Sequence, residues 1–189
     1  MNKTYYRFND TIQNEKGWIF YDTNLKIWRK IFNSIIGQKI LDIGCGGGVA
    51  ISMCKLFNPE LNAYGFEGTE DLRPFWEKRN IKVKTGNIYK LPFKDAEFDT
   101  VFSSHVLEHL DNPQLAIDES IRVSKKRIIH VVPEGNVDIK NFGTKHLKIY
   151  NRINFLQHFE YSQMSILSYE SLQDTHMNSL FICLEKNEK

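Results

Sequence analysis

The segment 41–49, LDIGCGGGV, combines a short apolar run with three alternate glycines, Gly44, Gly46 and Gly48. Glycines in this pattern let the backbone turn tightly and approach a bound ligand closely. A pyrophosphate-binding turn, G-x-G-x-x-G, would have its third glycine at Val49. Two glycines still allow such a turn, so the class of ligand depends on the side chains beside it.

The carboxylate nearest this turn is Asp42, two residues before the first glycine. It is poorly placed beside pyrophosphate and well placed beside an ammonium or sulfonium, and S-adenosylmethionine carries both. Glu67 follows 19 residues after Gly48, the approximate spacing at which an acid accepts hydrogen bonds from a ribose diol. Asn87 follows a third predicted strand, where its amide could contact an adenine edge. The pattern predicts a site for a nucleoside cation.

The elements that must position these side chains are strands that end beside one another. Apolar and alternating runs predict strands at 39–44, 61–67, 81–86, 98–104, 127–133, 164–169 and 178–185. Helical spacings fall between most of them, including a helix with Asn112 as N-cap and Pro113 as its first residue. The alternation predicts an α/β fold with a doubly wound, Rossmann-like sheet of seven strands and helices on both faces. The last two strands lack an intervening helix, which predicts an antiparallel pair at one edge.

Residues 1–189 are predicted to form a single domain, with 1–37 as an arm and helix over the ligand site and 38–189 as the core sheet. The formal net charge of +2 indicates neither a nucleic-acid nor a membrane partner. The three cysteines are not spaced as a zinc set, and no apolar run reaches membrane-spanning length. These features favour a reduced, cytoplasmic protein, and abundant Lys, Asn and Ile favour a bacterial source.

The chain resembles class I S-adenosylmethionine-dependent methyltransferases of the methyltransferase 11/23 type in four successive motifs: LDIGCGGG, YGFEGTE, TGNIYKLPFKDAEFDTVFSSHVLEHLDNP and HVVPEG. The resemblance covers residues 38 to about 160, and the late strand pair fits that family. It implies S-adenosyl-L-methionine as cofactor and methyl transfer to the oxygen or nitrogen of a small-molecule acceptor. A hydroxyl of a sugar or surface-glycan precursor is the preferred acceptor, and a monomer or homodimer is expected.

The resemblance also implies a set of cofactor-binding residues at the carboxyl ends of the first four strands. They are Asp42, Gly44, Cys45, Gly46, Glu67, Gly68, Asn87, Ile88, Ser103 and Ser104. The first four would contact the methionine portion, and the glutamate with its following glycine would contact the ribose. The next pair would face the adenine, although the family commonly has aspartate at the asparagine position. The two serines would lie beneath the cofactor, near the reactive methyl.

Two histidines are candidates for a catalytic base, which an oxygen acceptor would need. His105 follows the fourth strand, and the unperturbed imidazole pKa of ~6.5 suits proton removal near neutrality. The alternative is that it only shapes the cavity. His146 lies in a long connection after the fifth strand, together with Glu134, over the expected acceptor pocket. The alternative for His146 is that it caps the next helix or packs on the connection.

The segment 105–109, HVLEH, matches the H-x-x-E-H pattern of zinc-binding helices. However, it follows a central strand, and the sequence shows no third ligand. We therefore predict no metal and interpret Glu108 and His109 as structural. His130 lies within the fifth strand and is predicted to be a core residue or to act through a neighbour.

Two other classes of protein share part of the pattern. A nicotinamide-dependent oxidoreductase would use a glycine turn, but Val49, Asp42 and the terminal strand pair count against it. A non-catalytic S-adenosylmethionine-binding subunit would keep the same turn and differ only in turnover. A nucleobase amino acceptor is disfavoured because the fourth strand leads into Ser-Ser-His rather than Asp/Asn-Pro-Pro-aromatic.

Overall fold

A computed structural model describes residues 25–135, 146–160, 162–173 and 178–187. Residues 1–24 of the predicted arm and helix lie outside the described residues. The described strands are β1 (Lys39–Ile43), β2 (Asn62–Glu67), β3 (Lys82–Thr85), β4 (Phe98–Ser104), β5 (Ser124–Pro133), β6 (Met164–Gln173) and β7 (Asn178–Lys186). The described α-helices are α1 (Leu25–Ser34), α2 (Val49–Phe57), α3 (Arg73–Lys78), α4 (Pro113–Val123) and α5 (Arg152–Gln157), and a 3₁₀ helix spans Leu107–His109.

The seven strands form one sheet in the order β3-β2-β1-β4-β5-β7-β6. β1 to β5 are parallel, whereas β7 pairs antiparallel with both β5 and β6. This confirms the predicted mostly parallel sheet with an antiparallel C-terminal pair. The chain leaves β1 toward β2 on one side and returns to β4 on the other. The carboxyl ends of β1 and β4 therefore border the crevice in which open α/β sheets bind ligands.

Both faces of the sheet are buried. Ile40 and Leu41 are neighbours in β1, are both fully buried, and belong to different core clusters. α1, α2 and α3 contribute to the first cluster, whereas α4 and α5 pack on the opposite face, where Ile117 and Phe155 are fully buried. This explains why the central strands read as continuous apolar runs. None of the helices in the described ranges combines the length and apolar content needed to cross a bilayer.

The start of α4 differs in one respect from the prediction. Asn112 occupies the N-cap position, but its side chain accepts no hydrogen bond from the helix. The predicted N-cap position and the predicted first residue are confirmed, but the side-chain cap is missing, and the fixed φ of Pro113 is what suits the start of the helix. A cap that the prediction missed begins α5, where Asn151 and Asn154 form a reciprocal capping box.

His130 lies in β5 at the centre of a buried polar network. Ser103 lies opposite it in β4, and the Ser103 hydroxyl is 2.7 Å from His130 Nδ1. Ser120 donates its hydroxyl proton to the Ile117 carbonyl and lies 3.1 Å from Nε2 of the same ring. A neutral imidazole with its proton on Nε2 satisfies both contacts. Burial, with a smaller contribution from His158, lowers the pKa of His130 to about 3.

We expect His130 to make the fold acid-sensitive. The unfolded chain binds a proton at this histidine below its ordinary pKa of 6.5, whereas the folded protein does so only near pH 3. The contribution of neutral His130 to the free energy of unfolding is therefore fully present above pH 6.5. It is lost as the pH falls below 6.5, by at most ~1.4 kcal/mol per pH unit. Urea unfolding from pH 4 to 7 should show a steeper pH dependence for the unmodified protein than for His130→Gln. Equal slopes would contradict the assignment.

Candidate active site at the carboxyl edge of the sheet

The glycine turn after β1 is hydrogen-bonded to the end of β2. The N–H groups of Gly44 and Cys45 both donate to the Phe66 carbonyl, at 2.8 and 3.1 Å. Gly44, Gly46 and Gly48 have φ values of 72°, 52° and 80°, a region that residues with a side chain rarely adopt. The three alternate glycines therefore serve the path of the backbone between β1 and α2.

Glu67, the last residue of β2, aims its carboxylate at this turn. One carboxylate oxygen accepts from the Gly46 N–H at 2.9 Å and the other from the Gly68 N–H at 2.7 Å. A carboxylate has about four acceptor positions, so these two bonds leave room for a ligand diol. Trp76 of α3 donates its indole N–H to the Gly46 carbonyl at 2.7 Å, a support for the turn that sequence reasoning missed.

Asp42 and Glu67 form a buried acidic pair at neighbouring strand ends, 4% and 5% exposed. Burial raises the pKa of Asp42 well above its ordinary value, and the charge of Glu67 raises it further. Burial also raises the pKa of Glu67, although the Gly68 and Gly46 N–H groups oppose that rise. No Lys or Arg among the described residues lowers either pKa. A bound cation would relieve this concentration of negative charge.

The predicted adenine pair lies at the turn after β3. Asn87 is exposed, and its side-chain oxygen accepts from the Tyr89 N–H at 2.9 Å, whereas Ile88 is half-buried against the core. Cys45 is buried, and burial raises the pKa of its thiol, which does not suit a nucleophile. Ser104, at the end of β4, is half-buried.

His105 follows directly after β4. It has a positive φ of 57°, and its backbone N–H donates to the Val131 carbonyl at 2.9 Å. Its ring Nδ1 lies 3.5 Å from Oε1 of Glu108, whose side chain is fully buried. Burial favours a raised pKa for Glu108, but the nearby histidines His105 and His109 outweigh it and lower that pKa.

The second predicted catalytic residue, His146, lies beside this group. Its ring centroid is 4.9 Å from that of His109. The N–H groups of Leu147 and Lys148 donate to the Glu108 carbonyl at 2.7 and 3.0 Å, which holds this end of the long connection against the 3₁₀ helix. Burial lowers the pKa of His146, opposed in part by the charge of Glu108. The structure thus gathers both predicted histidines around one buried carboxylate. Glu134 lies elsewhere and bonds the Ser171 hydroxyl.

The segment that carries His105 packs on the glycine turn through Val106. A Cβ added at Gly44 would lie 2.4 Å from Val106 Cγ2, so the turn packs directly on the residue after His105. A cavity of about 530 Å³ is lined by the residues that follow the 3₁₀ helix, 111–114, and by 147–150 with Asn154 and His158. Cofactor-type and acid–base groups therefore share one edge of the sheet.

Comparisons with known proteins show which family the chain resembles. A family model described as a methyltransferase domain matches residues 41–131. An uncharacterized protein of Methanocaldococcus jannaschii is 32% identical over 155 residues, which cover 79% of this chain and 72% of that protein. An uncharacterized methyltransferase of Schizosaccharomyces pombe is 35% identical over 101 residues, 47% of this chain, and the match spans only 36% of the yeast protein.

The fold is likewise found among solved methyltransferases. A SAM-dependent methyltransferase of Thermotoga maritima superposes with a TM-score of 0.77, at 16% identity, over 99% of this chain and 100% of that one. The chain belongs to the class I S-adenosylmethionine-dependent methyltransferases, as its four motifs predict.

Proposed function

We propose that this protein transfers the methyl group of S-adenosylmethionine to a small-molecule acceptor that carries a hydroxyl group. The observation that carries the proposal is the buried pair Asp42 and Glu67 around a left-handed glycine turn. Two acids without a described cationic partner suit a ligand that brings both a positive charge and a diol. S-adenosylmethionine has an ammonium, a sulfonium and a ribose.

Each part of the cofactor has a group in the crevice that suits it chemically. Asp42 would attract the cationic methionine portion, and the free acceptor positions of Glu67 would bind the ribose hydroxyls. Ile88 offers half-buried apolar surface for the adenine, with Asn87 exposed beside it. The sulfonium supplies an already activated methyl, so the protein mainly has to align the acceptor and exclude water.

The acid–base part of the proposal rests on His105 and His146. His105 lies after β4, in the segment that packs on the glycine turn through Val106. Its neighbour Glu108 is a fully buried carboxylate whose Oε1 lies 3.5 Å from His105 Nδ1. A histidine in this position suits removal of the hydroxyl proton as the acceptor oxygen attacks. The choice of a sugar or surface-glycan hydroxyl rests on analogy with the family.

Turnover tests this proposal. The protein should release label from methyl-labelled S-adenosylmethionine into products when incubated with a panel of hydroxyl-bearing sugars and small metabolites. His105→Gln should reduce the rate at neutral pH by roughly 10²- to 10⁴-fold, the usual contribution of a general base. Saturable cofactor binding without any methyl transfer across a broad panel would favour the non-catalytic subunit. A monomer or homodimer and a cytoplasmic location stay predictions.

Glu67→Gln should weaken S-adenosylmethionine binding by roughly 10- to 150-fold, because hydrogen bonds to a charged group contribute ~1.5–3 kcal/mol. The glutamine keeps the shape of the side chain but replaces one acceptor oxygen by a donor. The measurement is isothermal titration calorimetry. Glu70→Gln is the matched control, since Glu70 is exposed and pairs with Arg73 on the surface. Equal affinity of both variants and the unmodified protein would contradict a ribose role for Glu67.

A further inference from the structure

The side chains around the 3₁₀ helix include potential metal ligands, a property that the methyl-transfer proposal does not use. Glu108, His109 and His146 each present a potential ligand atom, and these atoms all lie within 4.8 Å of one another. Imidazole nitrogen and carboxylate oxygen are preferred ligands of divalent transition metals. His109 and His146 are half-buried, and Glu108 is fully buried.

The state of Glu108 is an independent observation. Its side chain is 0% exposed, and neither carboxylate oxygen has a hydrogen-bond partner among the described residues. The buried Nε2 of His105 also has none. Burying a carboxylate is very unfavourable unless the group is paired, hydrogen-bonded or coordinated to a metal. The histidine contacts at 3.5 and 3.6 Å are too long to be hydrogen bonds.

These distances suit two ligands of a common ion. In a tetrahedral zinc site with bonds of about 2.0–2.1 Å, ligand atoms are about 3.4 Å apart. Glu108 Oε1 lies 3.6 Å from His109 Nε2. Only His146 would have to move closer. Its ligand atom lies within 4.8 Å of those of Glu108 and His109.

We propose that Glu108, His109 and His146 bind one divalent transition-metal ion of the zinc type, with the fourth position of the tetrahedron open. This departs from the sequence-based expectation of no metal. His146 is the third ligand that the H-x-x-E-H motif lacked, and the fold brings it there from 37 residues away along the chain. Two histidines and one carboxylate form the ligand set of many catalytic zinc sites, whose open position takes water or substrate. A role in binding the acceptor oxygen rests on the proposed function, whereas metal binding itself does not.

The test is zinc titration of the tag-free, chelator-stripped full chain by calorimetry. We expect saturation at one zinc per chain. His146→Gln and Glu108→Gln should each weaken zinc binding at least 10- to 100-fold, since even the partners of metal ligands contribute that much. His158→Gln is the matched control, because His158 bonds Gln114 outside the cluster, and it should bind zinc as the unmodified protein does. Circular dichroism identifies a variant that fails to fold, and His146→Gln carries the least risk since it changes a half-buried loop residue.

X-ray absorption of the zinc-loaded protein should show only nitrogen and oxygen ligands at about 2.0–2.1 Å. Absence of saturable zinc binding, unchanged affinity in folded His146→Gln, or a sulfur ligand would overturn the proposal. S-adenosylmethionine binding is measured on the same stripped sample. If the protein binds S-adenosylmethionine but not zinc, only the metal site is refuted. If it binds zinc but not S-adenosylmethionine, only the proposed function is refuted.

Discussion

Asp42→Asn should weaken S-adenosylmethionine binding by roughly 10- to 150-fold, corresponding to ~1.5–3 kcal/mol for a hydrogen bond to a charged group. The same change should raise the melting temperature of the ligand-free protein at pH 8. Asp42 is buried, its pKa is raised, and the charge of Glu67 opposes its ionisation. An acid whose folded pKa is raised loses stability as the pH rises from its unfolded pKa through its folded one. Asparagine removes that penalty.

Opposite changes in affinity and stability are the signature of a group retained for binding. The measurements are calorimetry with S-adenosylmethionine and thermal unfolding without ligand at pH 5 and pH 8. The stabilisation relative to the unmodified protein should be larger at pH 8. Asp71→Asn is the control, because Asp71 is exposed near the same edge of the sheet, and neither quantity should change. A variant that binds normally, or that is destabilised at pH 8, would contradict the electrostatic role of Asp42.

Gly44→Ala should destabilise the fold by ~2–5 kcal/mol, the sum of two separate penalties. A left-handed backbone is unfavourable for alanine by ~1–2 kcal/mol, and Gly44 has a φ of 72°. In addition, the new Cβ would lie 2.4 Å from Val106 Cγ2, so the His105–Glu108 segment would have to shift. Overpacking of this kind contributes ~1–3 kcal/mol.

Two further variants separate these penalties in urea unfolding. Gly135 has a φ of 78°, and no atom of the described residues lies within 4 Å of an added Cβ. Gly135→Ala should therefore show only the backbone penalty of ~1–2 kcal/mol. Val106→Ala should relieve the steric part, so the double variant should be less destabilised than the sum of the single ones. Strict additivity would show that the glycine turn and the segment after β4 do not press on one another.

The sequence predicted those site residues whose positions follow from their immediate neighbours in the chain. Asp42, the glycines and Glu67 each follow an apolar run, and the carboxyl ends of adjacent parallel strands must lie together. Strand positions were predictable for the same reason, because both faces of the central strands are buried. β5 is longer than predicted since its first residues, Ser124 to Lys126, are polar and give no apolar signal.

The remaining features depend on contacts between distant residues. Nothing in the local sequence shows that the N–H groups at 147 and 148 bond the Glu108 carbonyl, and that contact places His146 beside His109. Trp76 reads as an ordinary core aromatic, yet its N–H supports the glycine turn. Ser103 was predicted beneath the cofactor, and its hydroxyl contacts His130 inside the core. A structure with bound S-adenosylmethionine would test the predicted position of Ser103 beneath the cofactor.

The central claim is that the acidic crevice of Asp42 and Glu67 selects a cationic nucleoside. Two calorimetric titrations of one protein sample, with S-adenosylmethionine and with NADH, test it most directly. A pocket built around two buried carboxylates, Asp42 and Glu67, should bind the sulfonium nucleoside saturably, one molecule per chain. It should show no heat of binding with the anionic dinucleotide. Saturable uptake of NADH with none of S-adenosylmethionine would contradict the account.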